Sequence, residues 1–398
     1  MRPPSRLLLG SFGLLALLGC TSSDVHEGPA SAYLVNAIAV ADLDANGRPD
    51  ILGLVSTEVG GASTQGYVST RLQSSAGTFV LPTRFGVGRG PANLVVQDVN
   101  GDGRPDLVVA NAGDQTVSVR LADPAHPGFF LPATLLATPG RIPLDVAVGD
   151  LNGDGRTDIV VAASGANNVM VFLQGPTVGT FLAPWTLPVG GDPQAVTVAD
   201  LDGNGQLDIA VATTANTVSV LLNPVFSPTF APQAAIDYPT GVQPVAIRAA
   251  DLNGDGKLDL LTANYGASLT PGTQGLSVLI QGAPGTFLAP VHYTTGYRAA
   301  ALAVGDLNGD GKLDVVVTNS GLPGDPGSVS VLLQHPATPG VLLTAVNYTG
   351  AWGPMGVALA DMDGDGRPDL VLADGDIVVR LNSTTTPGTF GPPIFFYN

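Results

Sequence analysis

The sequence predicts an all-β protein, a seven-bladed β-propeller of four-stranded antiparallel blades with a cation-binding loop in each blade. Three observations predict it. The pattern D-x-D/N-x-D/N-G-x-x-D begins at Asp42, Asp98, Asp150, Asp200, Asp251, Asp306 and Asp361, at intervals of 56, 52, 50, 51, 55 and 55 residues. A fixed period of that size marks a propeller or solenoid built from one repeated supersecondary unit. Each repeat holds four short stretches of β character and none with a helical period. The 52 Gly and 33 Pro in 398 residues supply the turns such a fold needs.

In chain order, residues 1–20 read as a targeting segment. Arg2 and Arg6 precede an apolar run over 7–18, which is too short to span a bilayer as a helix but suits a secretory signal core. The sequence LLGC at 17–20 resembles a bacterial lipoprotein signal, whose cysteine is lipidated and becomes the mature N-terminus. The resemblance implies export across the inner membrane and attachment at the cell envelope or surface through Cys20 alone; an ordinary signal peptide is the alternative. Cys20 is the single cysteine, so no disulfide framework exists. Residues 21–33 lack periodicity and read as a tether, and the propeller is expected over 34–398.

Within each repeat an alternating stretch leads into the nonapeptide (VAVGD at 146–150, VTVAD at 196–200), as in a half-buried strand. An apolar run follows (DIVVAAS at 158, DVVVTNS at 314), as in a strand covered on both faces. A third segment (NVMVFL at 168, SVSVLL at 328) and a Phe-Pro stretch such as GTFLAPWTLPV complete the blade. The first strand is expected near 36–42 and the last within GTFGPPIFFYN, so the ring is expected to close by packing of blade one on blade seven, with no strand donated from the other terminus.

The nonapeptide suits a hard cation. Ca²⁺ takes six to eight oxygens at flexible geometry, whereas Mg²⁺ demands a stricter octahedron and keeps its waters. Position one is Asp in every copy, and position three is Asp44, Asn100, Asn152, Asp202, Asn253, Asn308 or Asp363. Position five is Asn46, Asp102, Asp154, Asn204, Asp255, Asp310 or Asp365. Position nine is Asp50, Asp106, Asp158, Asp208, Asp259, Asp314 or Asp369. Alternate positions can converge, and the carbonyl of position seven (Arg48, Arg104, Arg156, Gln206, Lys257, Lys312, Arg367) can add one oxygen more. Position six is always Gly, because the chain must wrap around the ion and only Gly takes left-handed torsions freely. An EF-hand shares these six positions but needs Glu at position twelve, where this chain has Gly53, Val109, Val161, Val211, Thr262, Val317 and Leu372. The loops hold 22 of the 33 acidic residues, so up to seven Ca²⁺ would bring the net charge from −17 to −3.

The turn RFGVGRGPANL, with Phe85-Gly86 followed by 88–91, resembles the FG-GAP repeat, the blade unit of integrin α-subunit propellers and of bacterial proteins with FG-GAP or VCBS-like repeats. The resemblance runs from about residue 34 to the end of the chain. The Gly-His and Trp-Asp dipeptides of a WD40 repeat are absent. In integrins the face opposite the calcium loops engages proteins, which implies an adhesion or interaction scaffold; some seven-bladed lectins bind sugars, which makes a carbohydrate-binding propeller the alternative. On that face the fourth-to-first turns carry Arg89, Arg141, Asp192, Gln243, Tyr297 with Arg298, and Trp352, residues that differ from blade to blade as one composite ligand surface would. The partner is expected to be a surface protein or a glycan, bound by a monomer. A lectin would repeat an aromatic at one blade position, and Trp185 and Trp352 do not recur so. No enzyme is expected, since His26, His126, His292 and His335 fall at non-equivalent positions and no Gly-x-Ser-x-Gly elbow exists. A pI near 4.3 with no basic stripe disfavours nucleic acid.

Overall fold

Alternation of side chains along each strand sets how the blades share their cores. The structure, a computed structural model, describes residues 33–59, 62–63, 65–222, 224, 234–266, 275–322 and 326–396. The targeting segment, Cys20 and the tether to residue 32 lie outside the described residues, as do parts of the long connections at 58–66, 265–275 and 320–327.

Seven antiparallel blade sheets follow one another along the chain, with one small two-stranded sheet, Gln73–Ser75 with Thr78–Phe79, beside blade one. Blade three is typical: Ile142–Gly149, Asp158–Ser164, Asn168–Phe172 and Trp185–Pro188 pair in that order from the axis outward. Blade one starts at Tyr33, one residue before the expected boundary, with Tyr33 opposite Thr57. The expected fourth strand is corrected in one respect. In GTFLAPWTLPV only Trp185–Pro188 joins the ladder, while Phe181 makes a single bridge to Gln174. Pro184 has no N–H to give a ladder, so pairing begins only beyond it.

The second strands of blades two to seven are buried throughout, as their continuous apolar runs imply. Successive residues point to opposite neighbours. Ile159, Val161 and Ala163 pack with Val108 and Val117 of blade two, whereas Val160 and Ala162 pack with Ile209 and Val211 of blade four. The same sharing gives an apolar cluster between every adjacent pair of blades, including Val35, Ile38 and Val55 of blade one with Val371, Ile377 and Val379 of blade seven.

Closure occurs by packing, with the four strands of blade seven all drawn from Gly356–Phe396 in sequence. The seam adds Val35 N–H to the carbonyl of Gly375 (3.1 Å) and Gln73 Nε2 to the carbonyl of Met362 (2.7 Å). Arg71 stands over the Phe396 ring across the same seam, 5.9 Å from its centroid.

The Gln73 bond is one copy of a repeated latch. Gln174, Gln281, Gln334 and Asn382 stand two residues beyond the third strands of their blades and donate to the carbonyls of Val99, Leu201, Leu252 and Leu307 in the preceding blade. Each acceptor is the second residue of an acidic loop, whose side chain is buried. Gln174→Leu would strand the buried carbonyl of Val99 and the half-buried one of Thr157, each 2.9 Å from its amide. An unsatisfied buried group costs about 1–3 kcal/mol. The urea midpoint of Gln174→Leu is expected to fall accordingly with the fold retained, since blade two carries Ala122 at this place; an unchanged midpoint would contradict the latch.

Candidate metal centres

Each acidic loop is a tight hairpin between the first and second strands of its blade. The position-six glycines have φ from +79° to +87°, and a Cβ there would meet nothing, so torsion alone demands glycine. Position four is left-handed as well: it is Gly in six loops and Ala45, at φ +59°, in blade one. That second constraint is visible in the sequence as the recurring N/D-G-D/N-G.

The turned backbone aims its N–H groups at the first aspartate. In blade three Asp150 Oδ1 accepts from Gly153 (2.8 Å) and Asp154 (3.1 Å), and Oδ2 accepts from Gly155 (2.7 Å). Blades two and four to seven repeat this. The position-five side chain accepts from the N–H of position seven, as Asn46 does from Arg48 and Asp310 from Lys312.

Position nine sits deeper. Asp50, Asp106, Asp158, Asp208, Asp259, Asp314 and Asp369 are all at 0 % exposure. In blade three Leu151 N–H donates to Asp158 Oδ2 (3.0 Å) and Gln174 N–H to Oδ1 (2.8 Å). Asp50, Asp106, Asp259, Asp314 and Asp369 receive the same two donors from their own blades. This carboxylate therefore ties the loop to the third strand before it does anything else, and each oxygen keeps one lone-pair direction for an ion. Burial pushes Asp50, Asp158 and Asp369 up to about 6, against the backbone N–H bonds that pull the other way, and it raises Asp106, Asp259 and Asp314.

Three loops gather a full carboxylate set able to hold a metal ion. Among the described residues, one oxygen each of Asp42, Asp44 and Asp50, of Asp200, Asp202 and Asp208, and of Asp361, Asp363 and Asp369 lies within 4.8 Å of its companions. The donors are all oxygen, which fits a hard cation and not a thiophilic one. In the other four loops Asn100, Asn152, Asn253 and Asn308 stand at position three and offer an amide oxygen in place of a carboxylate. The basic residue at position seven leans on position five rather than on the deep aspartate: Arg104–Asp102 (3.2 Å), Arg156–Asp154 (2.5 Å), Lys257–Asp255 (3.4 Å) and Arg367–Asp365 (3.0 Å). Lys312 instead donates to the carbonyl of Pro336 (2.5 Å).

On the opposite face several of the candidate ligand-surface residues make contacts within the turns. Arg89 pairs with Asp114 at 2.6 Å, and Arg141 donates to Asn168 Oδ1. Asp192 caps Ser164 and Gly165, and the Gln243 N–H donates to Asn216 Oδ1 at 2.8 Å. These groups hold turns together, which accounts for much of their variation between blades. Arg298 lies over the Tyr265 ring at 5.5 Å, while Tyr297 and Trp352 stand 47 % and 69 % exposed. The histidines have local roles: His126 pairs with Asp123 (2.8 Å) and His292 Nδ1 with Ser277 Oγ (2.9 Å).

A pH dependence follows from the raised aspartates. A carboxyl whose folded pKa near 6 exceeds its unfolded value near 4 is protonated more readily in the folded state, so metal-free protein should lose stability as pH rises through 6. Urea midpoints of metal-stripped protein should be higher at pH 5 than at pH 7. The reverse order would show that the position-nine carboxylates are not held against their charge.

The geometry agrees with comparisons to known proteins. The profile of the FG-GAP-like repeat matches residues 98–161, 150–211, 200–262 and 319–372, and that of the FG-GAP repeat matches 299–332. No curated protein matches the sequence. Among solved structures, BBS1N in complex with ARL6DN, soaked with lead, has a TM-score of 0.55 at 13% identity, covering 92% of this chain and 98% of that one. A candidate 6-phosphogluconolactonase from Bacteroides fragilis has a TM-score of 0.56 at 16% identity, covering 94% and 98%. A functionally unknown protein from Desulfotomaculum acetoxidans has a TM-score of 0.51 at 15% identity, covering 83% and 96%. At such identities these likenesses concern the fold alone. Repeat profiles that take in more than half of the sequence, on a ring of seven blades each entered through the same acidic hairpin, place the chain in the FG-GAP-like repeat family.

Proposed function

We propose that the acidic loops bind Ca²⁺ and that the calcium-stabilised propeller is a cell-surface scaffold which engages a protein partner, without catalysis, through the face opposite the loops. The observation that carries the calcium reading is the convergence of three carboxylates within 4.8 Å in blades one, four and seven, in loops whose backbone is already turned for an ion. Positions one, three, five and nine would hold the ion, with the position-seven carbonyl beside them. The ion supplies positive charge that offsets the buried position-nine carboxylate and cross-links the hairpin.

The magnitude is large because the sites are many. Extracellular calcium modules bind with constants of about 10⁻⁴ to 10⁻³ M. At roughly 1 mM Ca²⁺ and a constant of about 0.1 mM, linkage contributes about 1.4 kcal/mol per loop. Seven loops sum to about 10 kcal/mol, comparable with the whole stability of a domain, about 5–15 kcal/mol. Excess EGTA is therefore expected to lower the melting temperature sharply, and Asp154→Ala to lower it far less. With millimolar calcium the pH trend should also reverse, since acid displaces the ion. Identical melting curves in EGTA and in calcium would reduce the nonapeptides to turns.

The partner reading rests on Tyr297 and Trp352, exposed aromatics on successive turns of the non-calcium face. They also favour the second reading, a carbohydrate ligand, because aromatic faces stack on sugars. Glycan-array and surface-capture screens of wild type beside the Tyr297→Ala/Trp352→Ala variant separate the two readings, and a ligand retained by the variant would move the binding surface elsewhere. Anchoring is proposed through Cys20. Cys20→Ser should shift the protein from the membrane fraction to the medium with its melting curve unchanged; an unaltered distribution would remove the lipid anchor.

A further inference from the structure

The first strands of the seven blades line a central channel, and one of them breaks its pattern. The third residue before each acidic loop is Ala39, Val95, Ala147, Thr197, Ala303 or Ala358 in six blades and Arg248 in blade five. Small residues around most of the ring leave the long side chain room inside it. Among the described residues the Arg248 guanidinium donates to the carbonyl of Ile247 (2.8 Å) and has no carboxylate at ion-pair distance. A guanidinium has five N–H donors in a planar fork suited to a carboxylate.

Arg248 stands where two chambers of the channel meet. Toward the turn face is a chamber of ≈ 220 Å³ with a mixed lining, in which Asn36, Asp145, Gln194 and Arg298 stand among apolar residues. Toward the loop face is a chamber of ≈ 370 Å³ whose side chains beside Arg248 are aliphatic (Ala250, Leu302, Val304, Leu313 and Leu359), with backbone polar groups showing between them. That volume lies in the range of small-molecule sites, about 300–1,000 Å³. The nearest acid, Asp145, borders the same chamber and lies within electrostatic reach of Arg248, though not at ion-pair distance, and its oxygens are taken by other donors. It is 6 % exposed and accepts from Asn93 Nδ2 (2.6 Å), Val146 N–H (2.9 Å) and Val196 N–H (2.9 Å).

We infer that the central channel binds a small monocarboxylate with an apolar tail, its head on Arg248 and its tail in the aliphatic chamber. One guanidinium matches a singly charged head, and the apolar wall excludes a ligand that is charged along its length. This site is separate from the calcium loops and from the turn-face aromatics.

The test uses calcium-loaded full-length propeller and octanoate as the probe in isothermal titration, with octan-1-ol and acetate as the neutral-head and tail-less controls. Octanoate should bind saturably, each control should bind at least tenfold more weakly, and Arg248→Ala should weaken octanoate at least tenfold. Blades one, three, six and seven already carry Ala at this place, so the variant should fold, losing at most the stability that the Arg248 charge lends to buried Asp145. Should it melt lower, Arg248→Gln, which keeps the length and removes the charge, is read in its place with the same tenfold loss expected. No saturable binding at millimolar octanoate, equal binding of octan-1-ol, or binding undiminished in the folded variant would overturn the inference.

Discussion

A carboxylate buried to 0 % exposure at the ninth position of every acidic loop is the constraint around which each blade is organised. Left alone in an apolar interior such a group would stay protonated or unfold its surroundings. Here it accepts one N–H from the loop's second residue and one from just beyond the third strand, and so joins three segments that pairing alone would leave independent. The two donors do not cancel the cost of burial, as the raised pKa near 6 of Asp50, Asp158 and Asp369 records. The oxygens of positions one, three and five lie at the loop's open side, where a bound cation would supply the remaining compensation.

The loop's second residue carries the consequence from one blade to the next. Its side chain is a buried apolar wedge, its N–H is spent on the position-nine carboxylate, and in five loops its carbonyl receives the latch amide of the following blade. An ion that orders the loop would therefore also fix an interblade joint, and its loss would be felt around the ring. The seam between blades seven and one uses these devices with one addition. Arg380 and Arg120 reach back to the carbonyls of Thr349 and Gly86 in the preceding blades, where Leu221 and Leu332 occupy the corresponding place in blades four and six. Three successive arginines, with Arg71 over Phe396, thus brace the blades on either side of the closure.

Much of this is legible in the amino-acid sequence. The loop pattern and its spacing give blade number, order and the acidic sites, because each loop needs several residue types at fixed offsets. The continuous apolar runs identify the second strands, whose two faces meet two neighbours. Other features are hidden for physical reasons. The Phe-Pro stretch has strand composition, but Pro184 delays the ladder, so only Trp185–Pro188 pairs. The latch amides follow an aliphatic residue just beyond each third strand, as in Leu173-Gln174 and Leu333-Gln334, yet their distance from the acidic loop varies with hairpin length and hides the repeat. Arg89 and Arg141 look like free surface cations in sequence and find turn partners only in three dimensions. Arg248 is one charge among small residues, and its meaning depends on six other strands surrounding it.

The central claim is that the buried aspartates mark cation sites and not merely turns. Native mass spectrometry of the propeller dialysed into millimolar calcium counts bound ions directly. Calcium adducts are expected to reach up to seven per chain, with the first ions retained by the three-carboxylate loops of blades one, four and seven, and their replacement by magnesium only at large excess. A spectrum that shows the bare chain at every calcium concentration would contradict the claim.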